Sequence, residues 1–516
     1  MFNKKIKKIL LLIMIMTLGF AIMTGCGGSK SAAKEGEEKN TLIVGLAAEP
    51  KGIDPHPVND VPSGNALVQI YETLITQDVD MNIQPLLAET WKQIDDLTWE
   101  FKLKKGVKFH NGEELKASDV KFSFQRACES ARIGHIVGMI DADNIEIIDD
   151  YTVRIPTKEP FSALLPSLCH TGGMILSEKA VNEAGEAYGE KPVGTGPFKF
   201  VEWKRGDSLI FERFDDYHGE KAKIKKLVMR VIPERTNRVI ELETGGIDVC
   251  YDIGANDITR LEENEDIEVY RKISFSTGYL GMNCLDDKFK DARVRQAVNY
   301  ALDVDAMVNS VLKGVGTVAK GPLTPNVPGA NLELKPYGHD IEKAKQLLKE
   351  AGFENGLKTE LWTNENKDRI NMAEIIQAQL KEVGIDVEVK ILEWGAMLEG
   401  LNNKEHEMLI LGWNNSTGDP DIGLYAPFHS SKHGKGGNRV CYTNKRVDEL
   451  LDLGRKTFDT EKRNEIYYEV QEIIYNEAAW GLLYNKEVVL GAKKNLKGLK
   501  VWPNNKHRFD FVYFGE

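Results

Sequence analysis

Two hydrophobic periods alternate along most of this chain. Thr41–Ala47 (TLIVGLA) is a near-continuous apolar run of strand length, and Thr98–Leu103 (TWEFKL) and Ser208–Arg213 alternate apolar with polar positions. Ile224–Val231 and Gly246–Ile253 read as strands around a helix at Asn237–Thr244. A period of 3.6 takes over at Leu115–Arg126, where Ser118 is the expected N-cap and Val120 and Phe124 share a face. It returns at Lys290–Leu302 with Val294, Ala297, Val298 and Ala301, and at Ile341–Gly352, where Gly352 is a stop. Glu360–Trp362, a helix at Ile370–Val383 and a strand at Asp386–Ile391 make a βαβ unit, and Ile466, Val470, Ile473 and Ile474 stripe a last long helix over Arg463–Asn476. Lys105–Gly112 closes on Asn111-Gly112, a hairpin signature. Strands interleaved with helices predict an α/β fold.

One segment changes character halfway. Met408–Leu411 is apolar enough to be a strand buried on both faces. After Gly412 and Trp413 come Asn414, Asn415, Ser416, Thr417, Gly418, Asp419, Pro420 and Asp421, rich in hydrogen-bonding groups where a buried strand would emerge. Ligands of open α/β sheets collect outside the carboxyl ends of strands, so a small-molecule site is expected here.

The first residues carry an address. Lys4, Lys5, Lys7 and Lys8 precede an apolar run from Ile9 to Ile22, too short for a comfortable membrane span, and Met23-Thr24-Gly25-Cys26 follows. Residues 1–25 therefore read as a secretion signal. The tetrapeptide resembles the lipobox of bacterial lipoproteins, which implies cleavage before Cys26 and lipidation of that cysteine. Residues 26–40 lack the apolar content to bury a core and read as a flexible tether. The remainder exceeds one ordinary domain of about 100–200 residues. The net charge of −12 includes the leader lysines, so the body is more acidic still, which argues against nucleic acid and against electrostatic binding to anionic lipid. Cys128, Cys169, Cys250, Cys284 and Cys441 are scattered and odd in number, so neither a disulfide framework nor a zinc site is indicated.

The succession LAETW (Leu87–Trp91), TWEFKLKKGVKFHNG (Thr98–Gly112) and ASDVKFSFQR (Ala117–Arg126) resembles the extracellular solute-binding proteins, family 5, that serve peptide and nickel ABC importers. Pro192–Phe198, Tyr279–Asn283, Arg293–Ala297 and the helix around Arg463–Asn476 continue the resemblance in the same order. It implies a two-lobed periplasmic-binding-protein-like fold of type II, in the large peptide-binding subclass, with an extra subdomain in the first lobe. The expected boundaries are 41–273 plus 485–516 for the first lobe, with the subdomain at about 61–190, and 274–484 for the second. The chain would cross outward near Ser274–Tyr279 and return near Leu482–Val488. A solute held between lobes joined in this way permits hinge closure. The implied partners are a small peptide and ABC permease subunits; no cofactor is expected, and the protein is read as an exported monomer.

Peptide recognition needs strand-like partners for the backbone, a carboxylate for the amine and an Arg or Lys for the carboxylate. Trp413, Asn414, Asn415, Ser416 and Thr417 offer the strand edge, Arg439 a fork for a carboxylate, and Tyr279 and Trp394 aromatic walls. In peptide-binding members of the family the tryptophan of this strand is followed three positions later by an aspartate that pairs with the peptide's amine. Here that position is Ser416, with Asp419 and Asp421 as candidate substitutes. The variant resembles the branch often assigned to glutathione or other short peptides. Three alternatives stay open: a nickel or metal-chelate receptor of the same family, from His429 and His433; a secreted hydrolase, from Gly206-Asp207-Ser208-Leu209; and a surface chaperone or adhesin sharing the anchor. There is no HExxH, no GxxxxGK[ST] and no GxGxxG after a strand, and Ser208 is expected to lack a histidine partner, so enzymatic activity is not expected.

Overall fold

A computed structural model describes residues 40–515. The leader, Cys26 and nearly all of the expected tether lie outside the described residues. No helix among those described is long and apolar enough to cross a membrane.

Two long antiparallel strands, Ile267–Met282 and Trp480–Lys493, organise everything else. They pair from Ile267 opposite Lys493 to Gly281 opposite Trp480. Their two ends recruit different neighbours into one continuous eleven-stranded sheet. At one end Leu490–Ala492 pairs with Val249–Tyr251, which leads through the parallel pair Thr41–Leu46 and Lys226–Val231 to Ser208–Arg213 and Phe198–Lys204. At the other end Ser276–Met282 pairs with Met408–Asn414, beside which Leu357–Asn364 and Ile385–Leu392 run parallel. The connection from Asn364 to Ile385 is the helix Lys367–Glu382, so the expected βαβ unit is present with longer strands.

Burial explains why these segments take these forms. Met408 and Ile410 enter a core built with Val294, Val298, Ile376 and Leu380, whereas Leu409 and Leu411 enter one built with Tyr279, Phe428, Tyr467 and Trp480. Both faces of the strand are thus apolar because both are covered, and each fully buried aliphatic side chain contributes about 1.5–3 kcal/mol. In the first lobe Leu42, Val44, Leu227, Met229, Leu490 and Phe509 share a core. Phe101, Phe109, Val120, Phe124, Val153 and Ile155 form a cluster of their own around a separate four-stranded sheet. That cluster draws on residues from Leu74 to Ile175, while Leu67, Ile70 and Tyr188 pack with the first lobe's core.

Local signals were followed with one exception. Helix Ala117–Cys128 starts a residue before the expected cap: Lys116 holds the N-cap position, and Asp119 reaches back to accept its backbone N–H at 2.9 Å. Ser118 therefore lies inside the first turn, because a carboxylate at N3 satisfies the open donor better than a hydroxyl at N2. Gly352 follows helix Ile341–Glu350 with φ +88°, the left-handed stop that glycine accepts without strain. All five described cysteines are free thiols.

The register of the long pair breaks between Ile273 and Thr277. There Phe275 leaves the ladder: its N–H donates to Pro503 O at 3.3 Å and its carbonyl accepts from Asn415 N at 3.0 Å. Nearby, Ser274 Oγ donates to Lys486 O at 2.7 Å and Asn326 Nδ2 to Ile273 O at 2.8 Å. The irregular stretch is satisfied from both sides of the sheet, as a buried backbone must be.

Candidate functional site

Strand Met408–Asn414 ends against this irregularity, with Trp413 opposite Thr277 and Asn414 opposite Ser276. The chain then turns through Asn415–Gly418 into helix Pro420–Phe428. Gly418 has φ +71°, and a Cβ there would stand 2.9 Å from the Phe275 ring, so the turn requires glycine on both counts. Asn415 is buried, and its Nδ2 donates to Asp419 O at 2.8 Å. Thr417 is buried as well; its carbonyl accepts from Gln77 Nε2 at 3.0 Å across the gap between the lobes.

Other contacts hold the lobes together over this turn. Ser162 N donates to Arg455 O at 2.7 Å and Ser162 Oγ to Gly454 O at 3.0 Å, and Lys456 pairs with Glu159 at 3.1 Å. The arrangement is closed.

Cavities lie between the lobes. A cavity of about 60 Å³ lies beneath Ser416, walled by Tyr71, Glu72, His170, Thr171, Lys506 and Arg508 among others. A second, of about 230 Å³, is walled by Ser274, Ser276, Asn414, Lys486 and Asn505, and the two share Asn504. Ser416 and Asn414 thus line these cavities.

The other expected residues are placed differently. Trp413 is half-buried and lines neither cavity; its Nε1 donates to Ile422 O at 3.0 Å, tying strand to helix. Tyr279 is buried and stacked on Trp480 with ring centroids 3.8 Å apart. Arg439 donates to Asn402 Oδ1 and pairs with no carboxylate within 4 Å among the described residues. Trp394 opens helix Trp394–Asn403 and is 45 % exposed. None of these three lines either cavity.

The candidate substitutes for the missing aspartate, Asp419 and Asp421, both have arginine partners. Its carboxylate receives Arg463 at 2.8 and 2.7 Å and accepts the Asp421 N–H at 2.9 Å as the helix N-cap. Asp421 is fully buried and receives Arg455 at 2.7 and 3.2 Å. Both carboxylates are thus held by bidentate arginines, and neither lines either cavity.

The first lobe's wall was not anticipated. Glu72 is buried; its Oε2 accepts from Thr195 Oγ1 at 2.9 Å and meets His218 Nε2 at 2.7 Å, and its Oε1 accepts from Tyr217 at 2.7 Å. Burial raises its pKa, but the hydrogen bond and charge of His218, then Arg508 and Tyr217, hold it below the ordinary value. Arg508 is matched by Asp510 at 2.8 Å. The run Lys506-His507-Arg508 is the only sequence signal that pointed here, and it has no spacing that names a site.

The hydrolase and metal motifs have ordinary partners. Ser208 Oγ donates to Asp207 Oδ2 at 2.8 Å, within an antiparallel strand. His429 Nδ1 accepts from Ser431 N at 3.1 Å, whereas His433 Nε2 lies 2.9 Å from Tyr442 O, so the two rings face separate partners in a looped segment.

Comparison with known proteins agrees with this architecture. The family model described as "Bacterial extracellular solute-binding proteins, family 5 Middle" matches residues 82–435. The glutathione-binding protein GsiB of Escherichia coli K12 is 32 % identical over 511 residues, covering 96 % of this chain and 97 % of that protein. Among solved structures, the periplasmic binding protein DppA from Helicobacter pylori in complex with the peptide STSA superposes with a TM-score of 0.81 at 31 % identity, over 92 % of this chain and 98 % of that one. The oligopeptide-binding protein AppA from Bacillus subtilis in complex with a nonapeptide gives 0.78 at 29 % identity, over 93 % and 100 %.

Proposed function

The chain belongs to the bacterial extracellular solute-binding proteins of family 5, and from that premise we propose that it captures a short peptide of about glutathione's size between its lobes and delivers it to an ABC permease. The observation that carries the reading is the position of Ser416: it faces a small cavity at the closed junction of the two lobes, beside the break in the two strands that cross between them. In this reading 274–279 and 482–488 are the hinge, and opening there releases the Gln77–Thr417 and Ser162–Arg455 contacts. The protein binds and hands over its solute without covalent chemistry, and it is held at the outer face of the membrane through lipid on Cys26.

Calorimetry with reduced glutathione, dialanine and trialanine, together with mass spectrometry of any solute that co-purifies, tests the capture. Binding of at least one of the three is expected; a co-purifying solute that is not a peptide, with no heat from any of them, would sink the reading. The anchor is tested separately. Cys26→Ala is expected to abolish palmitate labelling and to release the protein from the membrane fraction, and unchanged labelling counts against lipidation.

A further inference from the structure

Lys506 is placed where a cation is costly unless something answers it. Its stem lies across helix Val61–Ile70 at Gly64, where a Cβ would stand 2.9 Å from Lys506 Cε and 3.1 Å from Cδ, so the absence of a side chain on Gly64 is what lets the lysine reach inward. The ammonium ends in the cavity beneath Ser416, 3.4 Å from His170 Nε2 and 3.4 Å from Thr171 Oγ1. It makes no ion pair within 4 Å among the described residues. Burial pulls its pKa from 10.5 down to about 8, with Asp60 opposing. Asp60 caps the helix through Ser63 at 3.0 Å and is not in contact.

His170 faces the same point with a second donor. The ring is 3 % exposed, and its Nδ1 accepts the Gly172 N–H at 3.0 Å. A backbone N–H can only donate, so in the neutral ring the proton sits on Nε2. Burial, and then Lys506, push the imidazole well below its usual range, so it is neutral. An N–H and an ammonium therefore confront each other, and Nε2 has no lone pair to offer the lysine. The remaining charges of the wall are spent: Glu72 on Thr195, Tyr217 and His218, and Arg508 on Asp510. Lys506 Nζ donates to Thr171 Oγ1, but no anionic group meets either the ammonium or the imidazole N–H, and donors that converge without a counter-charge call for an anion.

We propose that this cavity is a carboxylate subsite, in which Lys506 Nζ, His170 Nε2–H and the Thr171 hydroxyl hold one carboxylate of the captured solute while Ser416 closes the space from the second lobe. The volume of about 60 Å³ has room for a carboxylate. The proposal rests on the capture reading above and deepens it: the end of the site that lacks the amine-binding aspartate takes the opposite charge.

The test uses the same three peptides, each as the free acid and with its carboxylates amidated one at a time, against wild type, Lys506→Met and Gly64→Ala. Lys506→Met keeps the stem and removes the charge; Gly64→Ala keeps the charge and displaces the stem. Loss of a charge-assisted hydrogen bond is expected to weaken the free acid about tenfold to a hundredfold in Lys506→Met. One amide should bind wild type as weakly as its acid binds that variant, and Gly64→Ala should lose affinity without losing Tm. Equal affinity of the acid for wild type and both variants overturns the subsite and leaves the capture reading standing. If no peptide binds wild type, capture fails, and NMR of the Lys506 side chain with formate decides the subsite on its own. A resonance shift and a raised titration midpoint with formate, absent with chloride at equal ionic strength, support it; no response to formate overturns it.

Discussion

The two walls of the interlobe gap treat charge in opposite ways. On the second lobe, Asp419 and Asp421 each face an arginine, at 2.7 Å in both cases. On the first lobe, Glu72 and Arg508 are likewise neutralised, but Lys506 reaches the same gap with no carboxylate partner. The contrast teaches how to separate scaffold from site. A buried charge with a bidentate partner costs little to keep and much to disturb, whereas an unmatched one is tolerated only where a ligand can supply the partner.

Breaking the matched wall should produce the largest effect. Arg463→Met leaves Asp419 buried and unpaired, and a loss of about 3–5 kcal/mol in unfolding free energy is expected from denaturant titration. A loss below about 1 kcal/mol, the worth of a surface pair, would mean that the pair is solvated and the contrast is false. Next comes Trp413→Ala, which removes the indole link to Ile422 O and loosens the turn that carries Ser416. Solute affinity is expected to fall at least roughly tenfold, about 1.4 kcal/mol, with the fold intact; calorimetry showing unaltered affinity would detach the strand end from the site.

The smallest effect sharpens the unmatched wall. The folded-state pKa of Lys506 lies near 8, below its unfolded value of 10.5. Between these two, the unfolded chain holds the proton that the folded one has lost, so solute-free stability should rise with pH, by at most about 1.4 kcal/mol per unit. Solute affinity should fall over the same window, because the ammonium that grips the carboxylate is being lost. Tyr71, Tyr217 and Cys169, the other groups of that wall with ordinary values near the window, are pushed upward by burial. Lys506→Met should flatten both profiles, and a stability profile identical to wild type would assign the effect elsewhere.

Much of the frame was legible residue by residue. Met408–Leu411 read as a strand covered on both faces because four consecutive apolar side chains must alternate between two sides, and two cores receive them. The register of the long strands breaks between Ile273 and Thr277, within the stretch expected to cross outward. Ser416 was singled out from its offset after Trp413, and it faces the gap. The pairing of Asp419 was not legible, because its partner, Arg463, lies 44 positions away on a helix whose periodicity says nothing of what its polar face meets. Helix Val61–Ile70 was passed over: it is hydrophobic on most sides, and its mixture of Pro62, Ser63 and Gly64 reads as a loop.

By itself the sequence determined the alternation of strands and helices and the family frame, because periodicity and turn chemistry are local properties. Only the tertiary structure decided which charges are matched. Whether Asp419, Asp421, Arg508 and Lys506 have partners depends on side chains that meet across the sheet from distant parts of the chain. Electrostatic energy is set by distance and burial in space, and neither is written in the order of the residues.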